Sequence, residues 1–153
     1  MRIEAADAAT EESQRLLAHY FDELSRTFPD GFDPQAGSTT ADPAELSPPR
    51  GLFLVVREDD GTAVGCGGIK LIDAGTAEIK RMWLHSSTRG RGLGALLLDA
   101  LEEAARELGA TKGVLDTNAT LETAIAMYRR HGWQDVPAYN DNPYATHWFA
   151  KTL

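Results

Sequence analysis

Residues 76–117 impose the strongest constraint on how this chain folds. A strand-like run, TAEIKRMWL (76–84), leads into a glycine-rich turn, STRGRGLG (87–94). A leucine-rich stretch follows, then a second strand-like run, KGVLDT (112–117). Leu93, Leu97, Ala100, Leu101, Ala104 and Leu108 share one helical face, and Gly109 stops the pattern. Strand, turn, helix and strand in that order predict two parallel strands bridged by a crossover helix. Glycine lets backbone approach a ligand closely, with no Cβ in the way. The first amides of a helix have no internal partner, and the dipole makes that end positive. Gly90, Gly92 and Gly94 therefore open a helix in the manner of an anion site. Arg89 and Arg91 add charge suited to phosphate oxygens.

Two other readings compete for the same glycines. One is a plain flexible turn. The other is a dinucleotide-binding fingerprint, because Gly90, Gly92 and Ala95 satisfy G-x-G-x-x-(G/A). Asp116 then stands where a ribose-binding acid belongs. That fold requires several further parallel strands, and the tail after Asp116 offers one helix and a hairpin-like segment.

The rest of the chain predicts a mixed sheet. Residues 1–5 read as a strand. Thr10 can cap a helix that carries Glu11 and Glu12 in its first turn and Leu16, Leu17, Tyr20, Phe21 and Leu24 on one face. Residues 29–50 are rich in Pro, Gly, Ser and Thr and read as a long loop. One helical turn is expected inside it, with Asp42 as cap, Pro43 at the first position and Glu45 reaching back. Strands at 51–57, 62–72 and 76–84 are joined by short turns, so they pair antiparallel. A second helix is expected over about 120–131, with Leu121, Ala124, Ile125 and Tyr128 on one face. Residues 133–139 and 145–153 read as strands around the turn NDNP. Residues 1–153 are expected to form a single domain.

Charge narrows the function. The formal net charge is −8 over 153 residues, which argues against gripping nucleic acid or an anionic membrane surface. A cationic, amine-bearing substrate suits such a surface. Cys66 is the single cysteine, so no disulfide forms within the chain. It sits in an apolar strand and reads as buried rather than nucleophilic. His19, His85, His131 and His147 show no zinc spacing, and no metal is expected. Glu11-Glu12, Asp59-Asp60 and Glu102-Glu103 read as solvated positions. With no signal-peptide core and no membrane-length apolar run, a cytoplasmic location is expected.

Residues 78–133 resemble the GNAT family of N-acetyltransferases. Arg89, Gly92 and Gly94 match its coenzyme A motif, (Q/R)-x-x-G-x-(G/A). Asn118 follows the next strand, and Ala124, Tyr128, Gly132 and Trp133 match A-x-x-x-Y-x-x-x-G-(F/W). The resemblance implies an α/β fold whose mixed, mostly antiparallel central sheet is splayed in the middle and flanked by helices on both faces. It implies acetyl-coenzyme A as co-substrate and direct transfer to a primary amine of a small molecule, amino acid or peptide, in one ternary complex. Its pyrophosphate falls to Arg89, Gly90, Arg91, Gly92, Leu93, Gly94 and Ala95, and its pantetheine arm to the strand at Met82, Trp83 and Leu84. Asn118 is expected either to bond that arm or to cap the following helix with Thr120. Tyr128 stands at the family's acid position, with a plain core stripe as the competing reading. Glu78 is the candidate base, with a salt-bridged strand residue beside Lys80 and Arg81 as the alternative. Tyr139, Asn140 and Asp141 are expected either beside the acceptor pocket or in an ordinary hairpin turn. A homodimer is compatible with the resemblance. The rival from another class is a non-catalytic module of the same fold that senses acyl-coenzyme A.

Overall fold

The computed structural model describes residues 1–33 and 42–153. Strand β1 (Arg2–Ala6) precedes helix α1 (Glu11–Thr27), and three strands follow: β2 (Gly51–Arg57), β3 (Ala63–Asp73) and β4 (Thr76–Leu84). A short 3₁₀ helix (Ser86–Thr88), helix α2 (Leu93–Glu107), β5 (Lys112–Thr117), α3 (Glu122–Arg130), β6 (Gln134–Val136) and β7 (His147–Thr152) follow. The strands form one seven-stranded sheet in the order β1-β2-β3-β4-β5-β7-β6. Every pairing is antiparallel except β4 with β5, the parallel neighbours expected of the crossover.

Both faces of the sheet are covered, which explains the unbroken apolar run FLVV in β2. Phe53 and Val55 pack with Cys66 and Trp83 against Leu16 and Leu17 of α1. Leu54 and Val56 point the other way, toward Leu97, Leu98 and Leu101 of α2. Ile125 and Tyr128 of α3 extend that second cluster. The start of α1 follows from its cap: the Thr10 hydroxyl oxygen accepts from the Ser13 amide at 3.1 Å.

Two irregularities in β4 shape the molecule's interior. The first is a bulge. Gly68 pairs with Lys80 and Cys66 with Trp83, so two steps along β3 span three along β4. Arg81 takes up the extra residue with φ 58°. The bulge re-phases the strand. Trp83 joins the α1-side cluster, and Met82 and Leu84 pack on the α2 side. The Arg81 guanidinium lies over the Phe21 ring, 5.1 Å from its centroid. Cys66 is buried beneath the bulge, where its thiol donates to the Arg81 carbonyl at 3.4 Å, and burial pushes its pKa up to about 12. The second irregularity is a splay. Strands β4 and β5 pair only between Thr76–Glu78 and Lys112–Val114. Beyond Glu78 they separate, and the backbone of β4 on that side is left without a strand partner.

The single turn expected at Asp42 is present: the Glu45 and Leu46 amides donate to the Asp42 and Pro43 carbonyls at 3.0 and 3.3 Å. The Asp42 carboxylate caps the amides of Ala44 and Glu45, at 3.0 and 3.2 Å. Glu45 reaches back to the Asp42 backbone and also accepts from Lys70 Nζ at 2.8 Å. Residues 34–41 of the expected loop lie outside the described residues. One local expectation is corrected: the acidic pairs are not uniformly solvated. Glu12 receives Arg57 through two hydrogen bonds of 2.6 and 3.0 Å. Glu102 is 3% exposed, because its position on α2 borders the face that meets Trp133. Its carboxylate accepts from Trp133 Nε1 at 3.3 Å and from Lys151 Nζ at 2.6 Å.

A stability difference within this acidic pair follows. Glu102→Ala strands a buried indole N–H and removes the partner of a half-buried ammonium, a loss of about 2 kcal/mol. Glu103→Ala, at an exposed position, stays within about 0.5 kcal/mol of the parent. Urea denaturation of the two variants side by side checks the contrast.

Candidate active site

The splay opens into a cavity of about 920 Å³. Residues 78–84 of β4 form one wall and residues 115–118 at the end of β5 the other. Helix α1 and helix α3 close it above and below, and the turn ahead of α2 forms its mouth.

At the mouth, backbone conformation explains the glycines. Gly90 and Gly92 have φ of 79° and 73°, in the left-handed region that a Cβ disfavours. A Cβ at either position would meet nothing within 4 Å, so conformation rather than crowding requires glycine there. Gly92 is the N-cap of α2 and makes no side-chain capping bond. The amides of the first turn of α2 lack acceptors within the helix. Thr88, almost wholly buried, anchors the turn by donating its hydroxyl to the His85 carbonyl at 2.6 Å. Arg89, Gly90, Gly92, Leu93, Gly94 and Ala95 line the cavity. Arg91 lies outside that lining and points to Glu58, donating at 2.6 and 3.1 Å. Arg89 lies at the rim and donates to Glu23 at 2.6 Å.

Met82, Trp83 and Leu84 line the next stretch, along the edge of β4 that β5 has left. Unpaired strand backbone of this kind supplies donors and acceptors for an amide-bearing chain laid beside it. Asn118 also lines the cavity, but both ends of its side chain are engaged. Its amide donates to the Tyr144 carbonyl at 2.7 Å, and its oxygen accepts from the Thr120 amide and hydroxyl at 2.9 and 2.8 Å.

Tyr128 belongs to both readings offered for it. Its ring packs on Trp133 and Phe149 in the core, with centroids 6.4 and 5.9 Å away. Its hydroxyl reaches the cavity, donating to the Met82 sulfur at 3.9 Å. Burial pushes its pKa upward, so the phenol keeps its proton through the neutral range.

Glu78 is 5% exposed and lines the cavity where β4 and β5 part. One carboxylate oxygen, Oε2, accepts from the Tyr139 hydroxyl at 2.6 Å. The other, Oε1, lies 3.4 Å from Lys80 Nζ. Asp116 lines the same region from β5, accepting from Asn140 at 2.6 Å and from Asn142 at 3.1 Å. Burial raises the pKa of Asp116 and lowers that of Lys80, each environment disfavouring the charged form.

The region around 139–141 thus serves the cavity from behind. Tyr139 and Asn140 brace the two carboxylates and do not line the cavity themselves; Asp141 is exposed. The residues of this loop that do line it are Asn142 and Tyr144. Tyr144 stacks on Phe28 and meets Phe32 at a tilt, with centroid distances of 5.9 and 4.6 Å, and its hydroxyl oxygen accepts from the Asp33 amide at 2.8 Å. This contact ties the segment after α1 to the loop before β7. Lys80, Asn142, Phe28, Phe32, Tyr144 and Arg130 all line the cavity without carrying a sequence signal for it.

This geometry has relatives. The Acetyltransferase (GNAT) family profile matches residues 15–133. The chain is 35% identical over 123 residues to an IAA acetyltransferase of Azospirillum brasilense, covering 80% of this chain and 79% of the relative. An uncharacterized N-acetyltransferase of Schizosaccharomyces pombe is 36% identical over 100 residues, covering 65% of this chain and 61% of that protein. Among solved structures, an acyl-CoA N-acyltransferase assigned in Klebsiella pneumoniae superposes with a TM-score of 0.78 at 29% identity, covering 99% of this chain and 97% of the other. A GNAT acetyltransferase of Elizabethkingia anophelis with acetyl-CoA bound shares the fold, with a TM-score of 0.68 at 16% identity and coverage of 99% and 97%. The chain belongs to the GNAT acetyltransferase family.

Proposed function

We propose that this protein moves an acetyl group from acetyl-coenzyme A to a primary amine of a small molecule, amino acid or peptide, directly, with both substrates bound at once. One observation carries the reading. A single cavity connects the glycine turn at the head of α2 with the buried carboxylate of Glu78 and the hydroxyl of Tyr128. The turn fits a diphosphate: positive-φ glycines, free helix-start amides and Arg89 converge on its mouth. A solved structure of the same fold holds acetyl-coenzyme A, which supports the choice of donor. Residues 82–84 hold the pantetheine arm through their backbone, and Asn118 shapes its far side.

The chemistry then asks little of the side chains. The attacking amine must be neutral, and Glu78 lines the cavity to take its proton. The departing thiolate must gain a proton, and Tyr128 holds one in place. Alignment of the two substrates supplies much of the remaining rate. The acceptor enters beside Phe28, Phe32, Tyr144 and Asn142, and this wall selects it. The whole of 1–153 acts as one acetyltransferase domain.

Thiol release from acetyl-coenzyme A across a panel of primary amines tests the activity. Amine-dependent release is the expected result. Binding of acetyl-coenzyme A without release by any amine would assign the chain to the sensing class instead. A second expected result concerns Glu78. Glu78→Gln lowers kcat/KM by about 10²-fold, the usual contribution of one general base. An unchanged kcat/KM takes Glu78 out of the mechanism.

A further inference from the structure

The sequence announced Lys80 beside Glu78 but not Tyr139. The two carboxylate oxygens are used unequally: Oε2 accepts a 2.6 Å hydrogen bond from Tyr139, and among the described residues Oε1 has Lys80 at 3.4 Å. Tyr139 is itself held from behind. The next residue, Asn140, donates to Asp116 at 2.6 Å and accepts from Trp148 Nε1 at 2.9 Å. Strands β5 and β7 therefore fix the loop that carries Tyr139.

We infer that Tyr139 is a positioning residue for the base: its hydroxyl occupies Oε2 and leaves Oε1 as the oxygen that receives the amine proton. This inference rests on the reading of Glu78 as base. A short hydrogen bond donated to one carboxylate oxygen fixes the rotation of the group where water is excluded. The other neighbours do not supply that hold. Lys80 lies on the Oε1 side. Lys70, in register with Glu78 on β3, is bonded to Glu45. The Asp116 carboxylate on β5 is already satisfied by Asn140 and Asn142. Tyr139 is the neutral donor among them, and its proton is not lost in the working range. Burial and the adjacent carboxylate both push its pKa upward.

The test reads rate and affinity separately. Tyr139→Phe keeps the ring and removes the donor. Its kcat for amine-dependent thiol release is expected to fall about tenfold, the worth of one hydrogen bond to a charged group, with coenzyme A affinity by calorimetry unchanged. Added to Glu78→Gln, the same substitution is expected to cost nothing further, because Tyr139 acts through that carboxylate. Full thiol release by Tyr139→Phe, or an equal further loss in the Glu78→Gln background, overturns the inference. The two readings fail separately. If Glu78→Gln keeps full kcat/KM, Glu78 is not the base. If Glu78→Gln loses rate while Tyr139→Phe does not, the positioning role alone is wrong.

Discussion

Tyr128→Phe is expected to lower turnover by about 10²-fold, the contribution of one general acid, while coenzyme A binds as before. The substitution separates the two readings of this residue. Phenylalanine preserves the ring that packs between Trp133 and Phe149, so the core stripe is untouched. What disappears is the hydroxyl facing Met82 on the cavity side. Its hydrogen bond to sulfur at 3.9 Å is too long to matter for folding. Any large loss of rate therefore reports chemistry. The raised pKa of the phenol adds a pH signature. Tyr128 acts protonated, so its limb of the profile falls on the alkaline side, well above neutrality. A Tyr128→Phe enzyme with full thiol release removes the acid from the mechanism and leaves the tyrosine as packing.

The second large effect falls on the mouth of the cavity. Replacing both Gly90 and Gly92 by alanine is expected to weaken coenzyme A binding by about 100-fold. Each glycine holds φ above 70°, where an L-residue is strained by roughly 1–2 kcal/mol. There is open space for the added methyl groups, so the chain folds. It relieves the strain by turning the peptide units between residues 90 and 93, and the amides leave the direction in which an anion sits. Amides bonded to a charged group contribute about 1.5–3 kcal/mol each, and 2.7 kcal/mol corresponds to the expected 100-fold. Arg91→Ala is the contrasting variant. Arg91 lies outside the cavity lining and is bound to Glu58, so affinity there stays within a small factor. Isothermal titration of the three proteins with coenzyme A decides the matter. An unaffected double variant would mean that the diphosphate is held elsewhere.

The architecture was largely legible because local signals and burial agree along most of the chain. Strands at 51–57, 76–84 and 112–117 emerge at the expected residues, and Thr10 and Gly109 stand at the ends of the helices they punctuate. The last hairpin was less so. Pro137 has no amide to donate, and β6 stops at Val136, so the chain leaves the sheet for the loop that carries Tyr139, Asn142 and Tyr144. The bulge in β4 had no marker, because its positive φ falls on Arg81 rather than on a glycine or asparagine. Yet the bulge turns Met82 toward Tyr128 and Trp83 toward α1. The glycine turn and the positions of Tyr128 and Glu78 were visible as motif and strand position. Lys80 was visible as a strand neighbour of Glu78, but Tyr139 was not, because it lies far along the chain and meets Glu78 only through the fold. The aromatic wall joins Phe28, Phe32 and Tyr144 for the same reason. Pairings of that kind depend on topology, which local periodicity does not encode.

The central claim is that the amides opening α2 grip the diphosphate of acetyl-coenzyme A. An amide proton–nitrogen NMR titration with coenzyme A measures it directly. The account predicts large downfield shifts for Gly92, Leu93, Gly94 and Ala95, saturating together with the binding curve. Binding that saturates while those amides stay at their free positions would contradict it.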